Sequence, residues 1–246
     1  MEDRAKTAVV TGASAGFGAA TARALAGAGY RLILGARRLD RLREVAEPLG
    51  ATALQLDVRD PASVEAFAAQ IPPELHLLVN NAGGAHGVER IEAAVDEKWQ
   101  TMWETNVLGL MRMTRALIPA LVASGDGHVV NVGSIAGFET YAGGAGYTAS
   151  KHAVRAITRT LRLELLGQPV RVTEVDPGLA ETEFSLVRFA GDAERAKSVY
   201  QGMTPLSAED VADCILWAVT RPSHVNIDEI VVRPRDQATA TAVHRR

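Results

Sequence analysis

The segment Ala8-Val9-Val10-Thr11-Gly12-Ala13-Ser14-Ala15-Gly16-Phe17-Gly18 decides the fold. A short apolar run passes directly into three glycines, and the alanine-rich stretch 17–28 follows and stops at Gly29. The order is strand, tight turn, helix. Glycines at such a junction allow the turn, a close approach of backbone to a ligand, and close packing of helix on sheet. The start of the helix then offers unpaired N–H groups to a pyrophosphate. A glycine triplet alone is weak, and its place between first strand and first helix gives it weight. Gly12, Ser14, Ala15, Gly16, Phe17 and Gly18 are therefore candidate dinucleotide contacts. No Gly-Lys-Ser/Thr ending is present, which argues against a triphosphate loop.

Outward from this segment, apolar runs alternate with amphipathic ones. Strands are expected at Ala8–Thr11, Arg31–Ala36, Ala53–Asp57, Leu75–Asn80, His128–Gly133, Arg171–Val175 and Asn226–Val232. Several are continuously apolar, as in parallel strands covered on both faces. Helices are expected at 17–28, 38–48, 61–70, 97–122, 147–166 and 208–220. Short joins between the two kinds of segment argue for right-handed crossovers in one α/β domain, a doubly wound Rossmann fold.

The composition agrees with that class. The chain has 246 residues, 47% of them apolar and 22% charged, with formal net charge -3. Such a length fits a single undivided domain, taken here as 1–246. No basic block suggests nucleic acid, and no run of ~18 apolar residues suggests a membrane span. The N-terminus lacks the long apolar region of a signal peptide. Cys214 is the only cysteine and lies in an apolar run, so a buried inert thiol is expected. No intrachain disulfide can form, which fits a cytoplasmic setting. The stretch from Arg235 onward is polar and reads as a disordered tail, about 235–246.

The second strand ends Leu34-Gly35-Ala36-Arg37-Arg38. A dinucleotide site without a 2'-phosphate usually carries an acid here for the ribose hydroxyls. Two guanidinium groups suit a phosphate instead, so Arg37 and Arg38 point to NADP. After the third strand, Asp57 can accept from an adenine amino group while Val58 covers the ring. Asn81, Ala82 and Gly83 follow the fourth strand and can line the cofactor cleft.

Ser134 stands at the end of the fifth strand, with Tyr147 and Lys151 13 and 17 residues later. Tyr147 and Lys151 are four apart and share one helix face. An ammonium beside a phenol favours the phenolate, whose ordinary pKa near ~10 makes it a poor base at neutral pH. Ser134 can orient a hydroxyl or carbonyl. Asn106 lies within the long helix expected at 97–122, where asparagine is unfavourable on propensity alone. It can hold a water or a local bend of the backbone. The six histidines are scattered and give no metal-ligand spacing.

These motifs resemble the short-chain dehydrogenases/reductases over nearly the whole chain. The resemblance implies a seven-stranded parallel sheet and an NADP cofactor. It implies Tyr147 as acid/base, Lys151 as its activator and a ribose ligand, Ser134 as substrate orienter and Asn106 as relay support. It adds Pro177, Gly178 and Thr182 as cofactor contacts, Thr182 toward the nicotinamide amide. The run Asp176 to Phe189, with Tyr200, Pro205-Leu206, His224 to Ile227 and Val243-His244-Arg245, is similar to the NADP-dependent 3-hydroxy acid dehydrogenase/serine 3-dehydrogenase group. Ala180-Glu181 departs from members that carry a longer glycine-bearing insertion.

That similarity implies oxidation at the 3-hydroxyl of serine, allo-threonine, 3-hydroxypropionate or a like small molecule. It also implies a homotetramer and a substrate lid at about 180–204. Within that lid Arg188 is the first candidate for gripping a substrate carboxylate, with His244 and Arg245 of the tail as alternatives. Rival readings are a broad NADPH-dependent carbonyl or sugar-alcohol reductase and, more distantly, an NADP-binding regulatory protein without turnover. A hydrolase is disfavoured, because Val132 stands where a nucleophile elbow needs glycine.

Overall fold

The structure, a computed structural model, describes residues 5–246. The first half of the chain runs β1 (Thr7–Thr11), α1 (Gly16–Gly27), β2 (Arg31–Ala36), α2 (Leu39–Ala46), β3 (Thr52–Gln55), α3 (Pro61–Ala68) and β4 (Leu77–Asn80). The second half adds α4 (Asp96–Trp103), α5 (Leu110–Ala123), β5 (Gly127–Val132), α6 (Ala145–Glu164) and β6 (Val170–Pro177). It ends with α7 (Glu183–Arg188), α8 (Ala193–Ser198), α9 (Ala208–Val219) and β7 (Glu229–Val232). Among the described residues the strands form one seven-stranded parallel sheet in the order β3-β2-β1-β4-β5-β6-β7. The order reverses between β1 and β4, and at such a switch point the loops leaving the strands diverge and open a crevice.

Both faces of the sheet are covered, which is why β1, β4 and β5 are buried along their whole length. On one face Ala8, Val10, Leu32 and Leu34 pack with Leu25 of α1, Leu42 of α2 and Ile215 of α9. On the other, Val9, Ile33, Leu78 and Val129 pack with Phe67 of α3, Leu117 of α5 and Leu161 of α6. Side chains alternate across each strand, so the continuous apolar runs feed both layers. Polar ties cross the sheet as well. Asn80 donates to Thr114 and to Asn131, each at 2.9 Å, and Asn131 donates to Thr158 at 2.9 Å.

Beyond shifts of one or two residues at element ends and the added short helices α7 and α8, the fold differs from the sequence expectations in three places. The helix expected at 97–122 is interrupted: Glu104–Gly109 forms a π-helical turn between α4 and α5. The strand expected from Asn226 begins only at Glu229, because the Asn226 side chain takes the ladder's place. Its amide oxygen accepts from Val172 N at 2.8 Å and its amide nitrogen donates to Val172 O at 3.2 Å. The stretch 235–246 is packed rather than free. Gln237 is buried and accepts from Leu179 N at 2.8 Å, and Arg246 N donates to Gly202 O at 2.8 Å. Cys214 is half-buried against the α1/α2/α9 layer, and burial raises its thiol.

The helical stretch Asp96–Ala123 is long and apolar enough by length and composition to cross a bilayer. Its apolar side is nevertheless used in the core, where Met113, Leu117 and Leu121 are fully buried against the sheet. Leu117→Ala should therefore destabilise the protein by about 2–5 kcal/mol in urea unfolding. Ile91→Ala, at a side chain left 72% exposed in the stretch before α4, should change stability by no more than about 0.5 kcal/mol. Equal effects at the two positions would contradict this packing.

Candidate active site

The crevice is built first by backbone. Gly12 and Gly16 have φ of 67° and 53°, which side-chain-bearing residues rarely adopt. A Cβ on Gly18 would stand 2.5 Å from both Asn81 Nδ2 and Gly12 O. The three glycines thus let the loop fold tightly against the start of α1, whose first N–H groups have no side-chain cap. Asn81 holds this loop from the other side of the crevice. Its amide donates to Thr11 O at 2.9 Å and to Gly12 O at 3.2 Å. The Thr11 hydroxyl answers by accepting from Asn81 N and Ala82 N, both at 3.0 Å. Asn81 therefore acts on the loop itself.

The resulting cavity measures about 460 Å³. Gly12, Ser14, Ala15, Gly16 and Phe17 line one wall, and Ala82 and Gly83 line another. Arg37, Arg38, Asp57, Val58, Tyr147, Lys151 and Thr182 line it as well. Gly18 lies beneath the loop, buried. Arg38 donates to Ser14 Oγ at 3.3 Å and forms an ion pair with Glu183 at 2.8 Å. Arg41 pairs with the same carboxylate at 2.8 Å. These guanidinium groups hold the Glu183 carboxyl below its ordinary range. Asp57 is gripped by Arg59, at 2.7 Å between Oδ2 and Nη2, and this hydrogen bond lowers its pKa. Its carboxylate is thus already engaged where an adenine contact was expected.

A second cavity of about 230 Å³ adjoins the first. Ser134, Tyr141, Tyr147, Pro177, Gly178 and Arg188 are among the residues that line it. Gly133, Tyr147, Phe17, Thr182 and Phe184 line both cavities. Tyr147 therefore sits where the two meet, its ring edge-on to Phe184 at 5.5 Å between centroids. Arg188 reaches the same chamber from α7. It donates to Tyr141 Oη at 3.0 Å and to Gly87 O at 3.2 Å, and its guanidinium lies 5.9 Å from the Tyr147 ring centre. Arg245, weighed as an alternative, instead donates to Val199 O at 3.0 Å and to Gln201 O.

Asn106 explains the π-helical turn. It is buried, donates to Gly84 O at 2.9 Å and to Ser150 Oγ at 3.0 Å, and accepts from Gly84 N at 2.9 Å. Ser150 in turn donates to Tyr147 O at 2.8 Å. The asparagine thus ties the helix break and the 83–84 loop to α6, beside Lys151.

The electrostatics depart from the simplest expectation. Burial raises the Tyr147 phenol, although the Ser134 hydroxyl and Arg188 oppose it. Lys151 Nζ lies 6.0 Å from the phenol ring centre and donates to Val132 O at 2.8 Å. Burial pulls this ammonium down to about 8, with Asp176 and Glu174 pushing it back up. Desolvation outweighs the phenol's charged neighbours, so Tyr147 in the protein alone is a proton donor. Arg41, Tyr141 and Glu183 were not anticipated. Arg41 lies one turn beyond Arg37 and Arg38, a spacing that could have drawn notice. Nothing in the sequence marked the partners of Tyr141 or Glu183.

Comparison with known proteins agrees with this geometry. The sequence pattern of the family described as short chain dehydrogenase matches residues 6–191. An uncharacterised oxidoreductase of Mycobacterium tuberculosis is 58% identical over 238 residues, covering 97% of this chain and 94% of its own. The NADP-dependent 3-hydroxy acid dehydrogenase YdfG of Escherichia coli K12 is 44% identical over 244 residues, covering 96% and 98%. A solved structure of the closed form of serine dehydrogenase complexed with NADP+ superposes with TM-score 0.92 at 43% identity. It covers 98% of this chain and all (100%) of its own.

Asn106→Ala would leave Gly84 N–H and Ser150 without their partner. It should cost about 1–3 kcal/mol in chemical unfolding. Unchanged stability would show that water replaces the amide at no cost.

Proposed function

We infer, from the premise that the chain belongs to the short chain dehydrogenase family, that it is an NADP-dependent oxidoreductase acting at the 3-hydroxyl carbon of a small 3-hydroxy acid. The observation that carries this is the position of Tyr147, shared by a dinucleotide-sized crevice and a small chamber that holds Ser134 and Arg188. The crevice fits NADP: glycines leave room for the backbone to approach it, Ser14, Arg37 and Arg38 line it, and Arg41 reaches the lining residue Glu183. The anion already held there by Arg38 and Arg41 is a carboxylate, and guanidinium groups suit a phosphate equally. When bound, NADP takes up or delivers the hydride.

The chain's own residues do the rest. Tyr147 gives its phenolic proton to the substrate oxygen during reduction and takes it back during oxidation. Ser134 holds that oxygen, and its own side chain is fixed by accepting from Ala136 N at 3.1 Å. Lys151 stands ready as a cation on the Tyr147 face of α6 and as a donor toward a ribose. Thr182, at the border of the cavities, can donate to the nicotinamide amide. Arg188 binds the substrate carboxylate, and segment 180–204, which carries α7 and α8, closes over it as a lid. The chamber's size of about 230 Å³ suits a substrate of few heavy atoms. The lining arginine favours an acid over a neutral sugar alcohol.

The assembly is expected to be a homotetramer. Trp103 of α4, Leu163 of α6 and Leu166 just beyond α6 are 45%, 76% and 85% exposed in the single chain, a pattern that a second copy would cover. Sedimentation should give a species of four chains, and a monomer at working concentration would refute it. Arg38→Ala should lower kcat/KM with NADP relative to NAD by about 10- to 150-fold, the loss of one charged hydrogen bond. Equal use of both cofactors by the unaltered protein would remove the assignment. Arg188→Ala should lower kcat/KM for serine and 3-hydroxypropionate by about 10- to 150-fold more than for a neutral secondary alcohol. Equal losses on both would mean general damage to the lid.

A further inference from the structure

Behind Tyr147 lies a group of buried charges that touches neither cavity. Glu174 and Asp176 are two apart on β6, so their side chains leave the same face of the sheet. They are 2% and 0% exposed. A Cβ on Gly133 would stand 2.0 Å from Asp176 Oδ1 and 2.7 Å from Glu174 Oε1. The missing side chain of Gly133 is the room in which the two carboxyl groups meet. Asp176 Oδ1 accepts the Ser134 backbone N–H at 2.7 Å. Asp176 Oδ2 and Glu174 Oε1 are buried without a hydrogen-bond partner among the described residues.

Two ionised carboxylates so placed would repel each other in a medium that screens poorly. One proton between them removes the repulsion and supplies the donor that the orphaned oxygens lack. The facing groups agree with a single proton. Lys151 and Arg155 approach from α6, the latter with Nη1 4.0 Å from Asp176 Oδ2. Glu229 approaches from β7 and pairs with Arg155 at 2.9 Å and with Arg159 at 3.5 Å. Ser134 faces the pair through its backbone N–H, and the neutral Tyr147 phenol lies beyond it. Next to the pair, two cations, Lys151 and Arg155, then meet two anions, Glu229 and the singly charged pair.

We propose that Asp176 is a positioning residue: it fixes the backbone of Ser134 and, sharing one proton with Glu174, supplies the buried counter-charge that keeps Lys151 an ammonium. Asp176 has the Ser134 N–H and the Arg155 guanidinium beside it, whereas Glu174 Oε1 has no donor among the described residues, so the charge rests on Asp176 and the proton on Glu174. This rests on the assignment of Tyr147 and Lys151 above.

The sign of the effect is fixed by the charges. The negative charge of Asp176 raises both Tyr147 and Lys151. Removing it lowers both, so the acidic and alkaline limbs of activity move in the same direction. The test is the pH dependence of kcat/KM for NADP-dependent oxidation of serine. The double variant Asp176→Asn with Glu174→Gln keeps an oxygen for the Ser134 N–H, stops Glu174 from taking over the charge, and should move the profile toward lower pH by about one unit. Glu174→Gln alone imitates the protonated acid and should leave the limbs in place, whatever its amplitude. A loss of amplitude with unmoved limbs in the double variant, or an equal displacement in Glu174→Gln alone, would overturn the proposal. Asp176→Ser with Glu174→Gln makes the same prediction as the first double variant. Should neither fold, the unaltered protein decides: at neutral pH its infrared spectrum should contain the carbonyl band of a buried protonated carboxyl, and absence of that band overturns the shared proton. Tyr147→Phe separates the two levels. Full turnover by that variant would defeat the catalytic assignment itself, whereas its inactivity alongside unmoved limbs in the double variant would defeat only the present proposal.

Discussion

The rest of the site depends on the lock between Thr11 and Asn81. Strand order reverses between β1 and β4, and the loops leaving them would diverge if nothing held them. The Thr11 hydroxyl and the Asn81 amide satisfy backbone groups across that gap, while Gly12 and Gly18 leave room for the amide to reach them. With these loops fixed, the uncapped start of α1 faces the crevice. Asn80 and Asn131 extend the same order through the sheet to α5 and α6. The helix that carries Tyr147 and Lys151 is therefore placed by the same polar lattice that shapes the cofactor cleft.

Burial then sets the chemistry. A phenol surrounded by protein stays protonated, and an ammonium in the same setting tends toward neutrality. A reversible proton transfer needs both groups to be poised, so nearby charge must offset desolvation. Arg188 acts on the phenol from the chamber side, and the acidic pair on β6 acts on the ammonium from the sheet side. Asp176 acts on the phenol as well, so the two groups are tied to one buried charge.

Much of this was legible in the sequence, and the remainder has identifiable physical reasons. The glycine loop and the continuous apolar strands specified the doubly wound sheet because period and punctuation are local properties. Tyr147 and Lys151 were legible for the same reason, since four residues fix a common helix face. Arg38 was legible as a cation, but its partner Glu183 lies on a segment 145 residues away and its pairing is a property of the fold. The π-helical turn at Asn106 depends on Gly84, again a distant partner. The tail read as polar because its composition is polar, yet one buried amide, that of Gln237, ties it down. The expected lowering of Tyr147 by Lys151 came from counting charges along a helix, where burial is invisible. Glu174 and Asp176 drew no notice in the sequence, because their meeting at Gly133 depends on the pairing of β5 with β6.

The central claim is that hydride passes between NADP and the carbon whose oxygen lies between Ser134 and Tyr147. The most direct measurement incubates the protein with NADPH carrying deuterium at both hydrogens of nicotinamide C4 and malonic semialdehyde, and follows the product by deuterium NMR. Deuterium at C3 of 3-hydroxypropionate is the predicted result. Product formed without deuterium at C3, or no consumption of NADPH with this or any other small 3-oxo acid, would contradict the account.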